Sequence, residues 1–125
     1  MRHRVKKIKF SDGYDANRAL VRKLAVNFFS KGKMTTTLAK AKAMKPVIEK
    51  LIEKMKVKTE SNLTYLRQKL DSKSVIEIAY NDISPVISKV SGGYIRIVKL
   101  GKRNSDGAEM GRIDWVYPII KQKIL

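Results

Sequence analysis

The sequence predicts an α+β fold whose elements run in the order α-β-α-α-α-β-β. Three observations predict it. Apolar residues recur at helical spacing from residue 15 to residue 83. A short run rich in β-branched residues, Lys33-Met34-Thr35-Thr36-Thr37, interrupts that pattern and reads as a brief strand. Beyond the turn Ser91-Gly92-Gly93 the period becomes two, in segments rich in β-branched and aromatic residues.

The first helix opens at Asp15, a residue type that caps helices well. Ala16, Leu20, Leu24 and Phe28 form its inner stripe, widened by Ala25 and Phe29, and Lys31-Gly32 stops it. Thr36 or Thr37 caps the second helix, because its hydroxyl can accept a bond from an orphan N–H. Leu38, Ala41, Met44, Ile48, Leu51 and Met55 line one side of that helix. Pro46 removes a backbone donor about two turns in, so a kink or a break into two pieces is expected. Ser61 opens a third helix with Leu63, Leu66 and Leu70 inside. A fourth begins near Ser72 or Ser74, faces inward through Val75, Ile78, Ala79 and Ile83, and is ended or bent at Pro85. Tyr94 to Leu100 and Arg112 to Ile119 then form an antiparallel hairpin around a long polar loop, Gly101 to Gly111. The strand near Met34 joins that hairpin at an edge. The expected divisions are a basic arm of residues 1–13, one globular domain of residues 14–120, and a tail of residues 121–125.

Charge narrows the function. Of 125 residues, 28 are Lys or Arg and 11 are Asp or Glu, a formal charge of +17. Self-repulsion at that charge opposes compaction, and a polyanionic partner is the simplest reason to keep it. Nucleic acid and an anionic membrane surface both qualify. The charge is concentrated in residues 1–58, which hold 17 basic and 4 acidic residues; residues 59–125 hold 11 and 7. Arg2, Arg4, Lys6, Lys7 and Lys9 lie in an acid-free start without amphipathic period, which suits neutralising phosphates and releasing counterions. Seven lysines fall between Lys40 and Lys58, against Glu49 and Glu53 alone. Any one of them is as readily a wet helix face as a contact.

Catalysis finds little support. Without cysteine, disulfides, thiolate zinc sites and thiol nucleophiles are excluded. The lone histidine, His3, sits in the arm, and one histidine supports neither a metal site nor a triad. Glu49 and Glu53 stand one helical turn apart but read as partners for Lys45, Lys50 or Lys54. Gly92-Gly93 lacks the further glycines of a nucleotide loop. No cofactor, metal or small-molecule substrate is expected. No apolar run reaches the length of a signal peptide or a bilayer span, so a soluble, intracellular protein without membrane insertion is expected. Trp115, Tyr117 and Phe28 read as core aromatics, whereas Tyr94, between Gly-Gly and Arg96, is kept as a candidate base-stacking residue.

Four segments, in order, resemble one family. They are Met1-Arg2-His3-Arg4, Thr36-Thr37-Leu38-Ala39-Lys40-Ala41-Lys42, Gly92-Gly93-Tyr94-Ile95-Arg96-Ile97, and Gly101-Lys102-Arg103 with Ala108-Glu109-Met110. Over nearly its whole length the chain is similar to the bacterial large-subunit ribosomal protein seventeen family. The resemblance implies a two-layer α/β domain with the element order given above. It also implies a structural role on the cytoplasmic ribosome, binding large-subunit ribosomal RNA near the outer rim of the polypeptide exit. Neighbouring large-subunit ribosomal proteins are the implied protein partners, and no enzymatic activity is implied. Three places depart from the family's pattern. Asn17 stands where histidine is usual, Val90 replaces a common arginine, and Ser11-Asp12-Gly13-Tyr14-Asp15 is acidic where the family tends to be basic.

Under that resemblance Arg2, His3, Arg4, Lys6, Lys7 and Lys9 thread between RNA segments. Arg18 and Arg22 on the first helix, with Thr36, Lys40 and Lys42 around the start of the second, clamp phosphates, which a helix N-terminus favours. Gly92, Gly93, Tyr94 and Arg96, with Lys102 and Arg103, form a second contact. Recognition of RNA shape and backbone is expected rather than a base code. Two rivals for the same charge are a nucleoid-type DNA binder and a basic membrane-surface protein.

Overall fold

A three-stranded antiparallel sheet in the order β1-β3-β2 carries a layer of helices on one side. The computed structural model of the chain describes residues 14–117, with side chains from Arg18 onward. The arm expected over 1–13 and the tail expected over 121–125 lie outside those residues. The elements are α1 (Tyr14–Lys31), β1 (Lys33–Thr37), α2 (Leu38–Met55), α3 (Glu60–Leu70), α4 (Lys73–Ile78), α5 (Ser84–Ile87), β2 (Ile95–Lys102) and β3 (Glu109–Trp115). A π-helical segment, Ala79–Ile83, joins α4 to α5.

Local chemistry explains most boundaries. Gly32, at φ 81°, turns the chain out of α1 while its N–H still donates to the Phe28 carbonyl at 2.7 Å. Thr37 caps α2 by accepting the Lys40 N–H on Oγ1 at 3.4 Å. Thr59 and Ser72 cap α3 and α4 in the same way. α1 starts one residue before Asp15, and α3 starts at Glu60, one residue before the expected Ser61.

Neither proline interrupts the helical run. α2 runs unbroken through Pro46, which lies on its exposed side, where water can serve the Lys42 carbonyl that loses its partner. Pro85 does not end its helix either. The ladder widens just before it, and the Ser84 N–H reaches back five residues to the Ala79 carbonyl. The missing donor is thus absorbed in the π segment.

The hairpin is longer than its sequence suggests. β2 and β3 stay paired through Gly101↔Met110 and Lys102↔Glu109, so the polar loop shrinks to Arg103–Ala108. Leu100 is the extra residue of a bulge between Lys99 and Gly101, and the φ of 90° at Gly101 is one a side chain resists. β3 ends at Trp115, and Val116 and Tyr117 follow it as bends; the expected strand's last residues, 118–119, lie outside the described residues.

β3 sits between the other two strands, and α2 packs across it and β2 while α1 packs on β1. α3 and α4 close the core against α1 and α2. Phe28, Met44, Ile48, Ile52, Leu66, Ile83, Ile87 and Ile113 are fully buried there. Phe28 meets the Trp115 ring at 5.2 Å between centroids and Phe29 edge-on at 5.3 Å.

Candidate nucleic-acid interface

Alternation along the strands divides the sheet into two faces. Ile95, Ile97, Ile113 and Trp115 face the helices, while Arg96, Arg112 and Asp114 fall on the other side. β1 adds Lys33 opposite Asp114 and Thr35 opposite Arg112. Three cations, Lys33, Arg96 and Arg112, therefore surround one acid on the outer face. Arg112 holds that acid, its Nε donating to Asp114 Oδ2 at 2.8 Å. Lys33 and Arg96 are exposed, and neither forms an ion pair among the described residues. Arg96 was a candidate from sequence; Lys33 and Arg112 were not. Arg96 came from its place in the Gly92–Ile97 segment; strand alternation could have found Arg112, but Lys33 needs the strand pairing.

A second group forms at the other end of the sheet. Thr37 pairs with Met110, which pairs with Gly101, so the start of α2 lies beside Lys102 and the hairpin tip. The first turn of α2 holds no acid, and Lys42 is exposed on it. Thr36 stays within β1 opposite Gly111 and leaves capping to Thr37. The approach is close: a Cβ on Gly111 would stand 3.1 Å from Leu38 Cδ1. Arg96 and Lys102 are near opposite ends of β2, roughly 20 Å apart at ~3.3 Å per residue. The one contact expected from Gly92–Arg96 together with Lys102–Arg103 is thereby split into two.

Several candidates have other engagements. Arg22 donates from Nε to the Lys69 carbonyl at 3.4 Å and from Nη2 to the Gln68 carbonyl at 3.2 Å, and its Nη1 stands 3.9 Å from Asp71. It closes the C-terminal end of α3, where a cation is favoured. Arg103 grips Asp106 with both sides of its fork, Nε to Oδ1 at 2.9 Å and Nη2 to Oδ2 at 2.6 Å. That grip, with the Ala108 N–H, holds the Asp106 carboxyl down at about 2. The pair shapes the hairpin tip and engages one edge of the guanidinium, leaving Nη1 outside the pair. Arg18 is exposed on α1. Arg2, His3, Arg4, Lys6, Lys7 and Lys9 lie outside the described residues.

Tyr94 requires a correction. It is 1% exposed, so its ring offers no face for a base to stack on. Its hydroxyl donates to Glu53, its backbone N–H to Glu49 Oε2 at 3.4 Å, and the Ile95 N–H to Glu49 Oε1 at 3.4 Å. Lys56 lies over the ring at 5.6 Å and donates through Nζ to the Val90 carbonyl. Burial first, then the Glu53 bond and the charges of both glutamates, push the phenol well above its usual value of 10.0. These two carboxylates receive the start of β2; they are not a catalytic pair. Gly92 and Gly93 are exposed, with nothing near where a Cβ would stand, and the φ of 65° at Gly93 makes the turn into β2. Val90, one of the departures from the family pattern, packs partly buried on the core and lends its carbonyl to Lys56.

The sequence matches the family profile described as Ribosomal protein L17 over residues 20–116. It is 36% identical to the large ribosomal subunit protein bL17 of Methylacidiphilum infernorum, covering 98% of this chain and 96% of that one. It is 38% identical to the protein of that name from Sulfurihydrogenibium sp., over 94% and 99% of the two chains. With the one from Neorickettsia sennetsu it shares 36% identity, over 93% of this chain and 100% of the relative. The match runs from within α1 to just past the end of β3, and the chain belongs to the ribosomal protein L17 family.

Proposed function

We propose that the chain is a structural constituent of the bacterial large ribosomal subunit. It binds large-subunit ribosomal RNA through phosphate and shape contacts, on the polypeptide exit side. Neighbouring large-subunit ribosomal proteins are its protein partners, and its place is the cytoplasmic ribosome. The observation that carries this reading is how charge is distributed over the fold. No polar or charged residue is buried among the described residues, so the core is apolar and the cations stand on a rigid surface. They gather where one strand face and one helix start present them, at Lys33, Arg96 and Arg112 and at Lys40, Lys42 and Lys102. Ammonium and guanidinium groups spaced on a rigid scaffold suit phosphates held in a folded RNA. Arg2, His3, Arg4, Lys6, Lys7 and Lys9 add the arm's contacts, and Arg18 lies on the outer side of α1.

No helix of the described residues is long and apolar enough to cross a membrane. Sedimentation of a cell lysate through a sucrose gradient tests the proposal. The chain should migrate with the large subunit and stay there in moderate salt. Recovery with DNA or with membrane instead overturns it.

A further inference from the structure

α2 separates its charges between two flanks. At about 100° per residue, Glu49 and Glu53 fall toward β2, where they hold Tyr94 and Ile95. Lys50 and Lys54 fall toward α3 instead. Their Nζ atoms stand 5.9 and 5.4 Å from the centroid of the Tyr65 ring. Lys69, one turn beyond Tyr65 on α3, brings a third ammonium to 5.7 Å from the same centroid. Three cations from two helices thus converge on one half-buried ring. None of the three forms an ion pair among the described residues.

That arrangement is electrostatically incomplete. The ring face attracts each ammonium, but the three charges repel one another, and none is paired with a carboxylate among the described residues. An anion would relieve the repulsion. Ammonium groups are compact, strongly hydrated point charges without the planar fork that matches a carboxylate. Successive phosphates of one strand can serve all three at once. The cluster is also distant from the group at the start of α2. Lys54 lies 17 residues along α2 from Thr37, or about 25 Å at 1.5 Å per residue.

We infer that Lys50, Lys54 and Lys69 around Tyr65 form a second phosphate-binding site. It takes the backbone of an RNA segment other than the one at the start of α2, and it rests on the RNA-binding function proposed above. The test is binding of the full chain to transcribed large-subunit ribosomal RNA across a salt series. K50Q/K54Q/K69Q should lower the slope of log affinity against log salt by about 2, at ~0.7–0.9 for each phosphate left without its cation. A control with the same charge change at exposed sites elsewhere, K31Q/K73Q/K89Q, should change the slope by less than half as much. Circular dichroism establishes that each variant is folded.

An unchanged slope in the first variant overturns the site, and so does an equal drop in the control, which would mean that net charge alone matters. Loss of a ribosomal protein partner in subunit reconstitution, with RNA binding intact, overturns it in favour of an acidic protein surface. A chain lacking residues 1–9 separates the two proposals. If that deletion weakens binding while the lysine variant does not, the site fails and the RNA-binding function stands. If the unaltered chain shows no salt-dependent binding, the RNA-binding function itself fails.

Discussion

At the scale of single residues, Tyr94 shows how a side chain near a candidate binding loop can serve the fold instead. Its ring is buried, its hydroxyl is held by Glu53, and its backbone is held by Glu49. Tyr94→Phe keeps the ring and deletes the bond. Bonds to a charged group contribute ~1.5–3 kcal/mol when buried; Glu53 is exposed and regains water, so a loss of about 1 kcal/mol is expected. The phenol also makes this difference depend on pH. Because the folded state raises its pKa above 10.0, its contribution is full below pH 10 and is lost as pH rises toward the folded value. Thermal melts should show the native chain ahead of Tyr94→Phe at neutral pH, with the gap closing above pH 10. A gap constant across that range would show that the hydroxyl bond is not made.

Among the elements, Arg22 joins two helices that are far apart in sequence. It leaves α1 and donates to the Gln68 and Lys69 carbonyls at the end of α3, beside Asp71 in the left-handed conformation at φ 50°. Arg22→Ala should cost about 1 kcal/mol of stability, the usual net value of such bonds at a part-exposed site, and should leave the salt slope of RNA binding nearly unchanged. Chemical denaturation and RNA titration of the one variant check both halves. A large change in the slope with no change in stability would return Arg22 to the RNA-binding surface. Arg22 and Lys23 look alike in sequence, both lying off the apolar stripe of α1. Nothing local says that the first reaches a carbonyl 46 positions away. Helix caps were legible for the opposite reason, since Thr37 and Ser72 bond to groups three residues on. The extra pairs of the hairpin were hidden by the polar composition of residues 101–111, which side-chain alternation reads as loop although the backbone ladder continues.

For the whole molecule, every buried residue described lies between Ala25 and Ile113, and the sequence of residues 1–9 carries no apolar stripe of helical or strand period. Deleting residues 1–9 should therefore leave helix and strand content and the thermal midpoint close to those of the full chain. The deletion removes five Lys or Arg, and the salt slope of RNA binding should fall by several units, at ~0.7–0.9 for each phosphate the arm no longer neutralises. Circular dichroism and binding titrations on the same preparation measure the two effects. A deletion that binds RNA like the full chain would make the arm's charge a bystander; one that fails to fold would give it a structural role.

From the sequence alone came the family resemblance, the element order and the concentration of cations in residues 1–58. These follow from local spacing, turn chemistry and composition, all of which are written along the chain. Tertiary structure decided which cations share a surface. Lys33 comes beside Arg96 and Arg112 only because β1 pairs with β3, and Lys50, Lys54 and Lys69 meet at Tyr65 only because α2 packs against α3. It also buried Tyr94 and gave Arg22 and Arg103 partners within the chain. Charge is a property of residues, whereas a binding site is a property of distances between them, and long-range packing sets those distances.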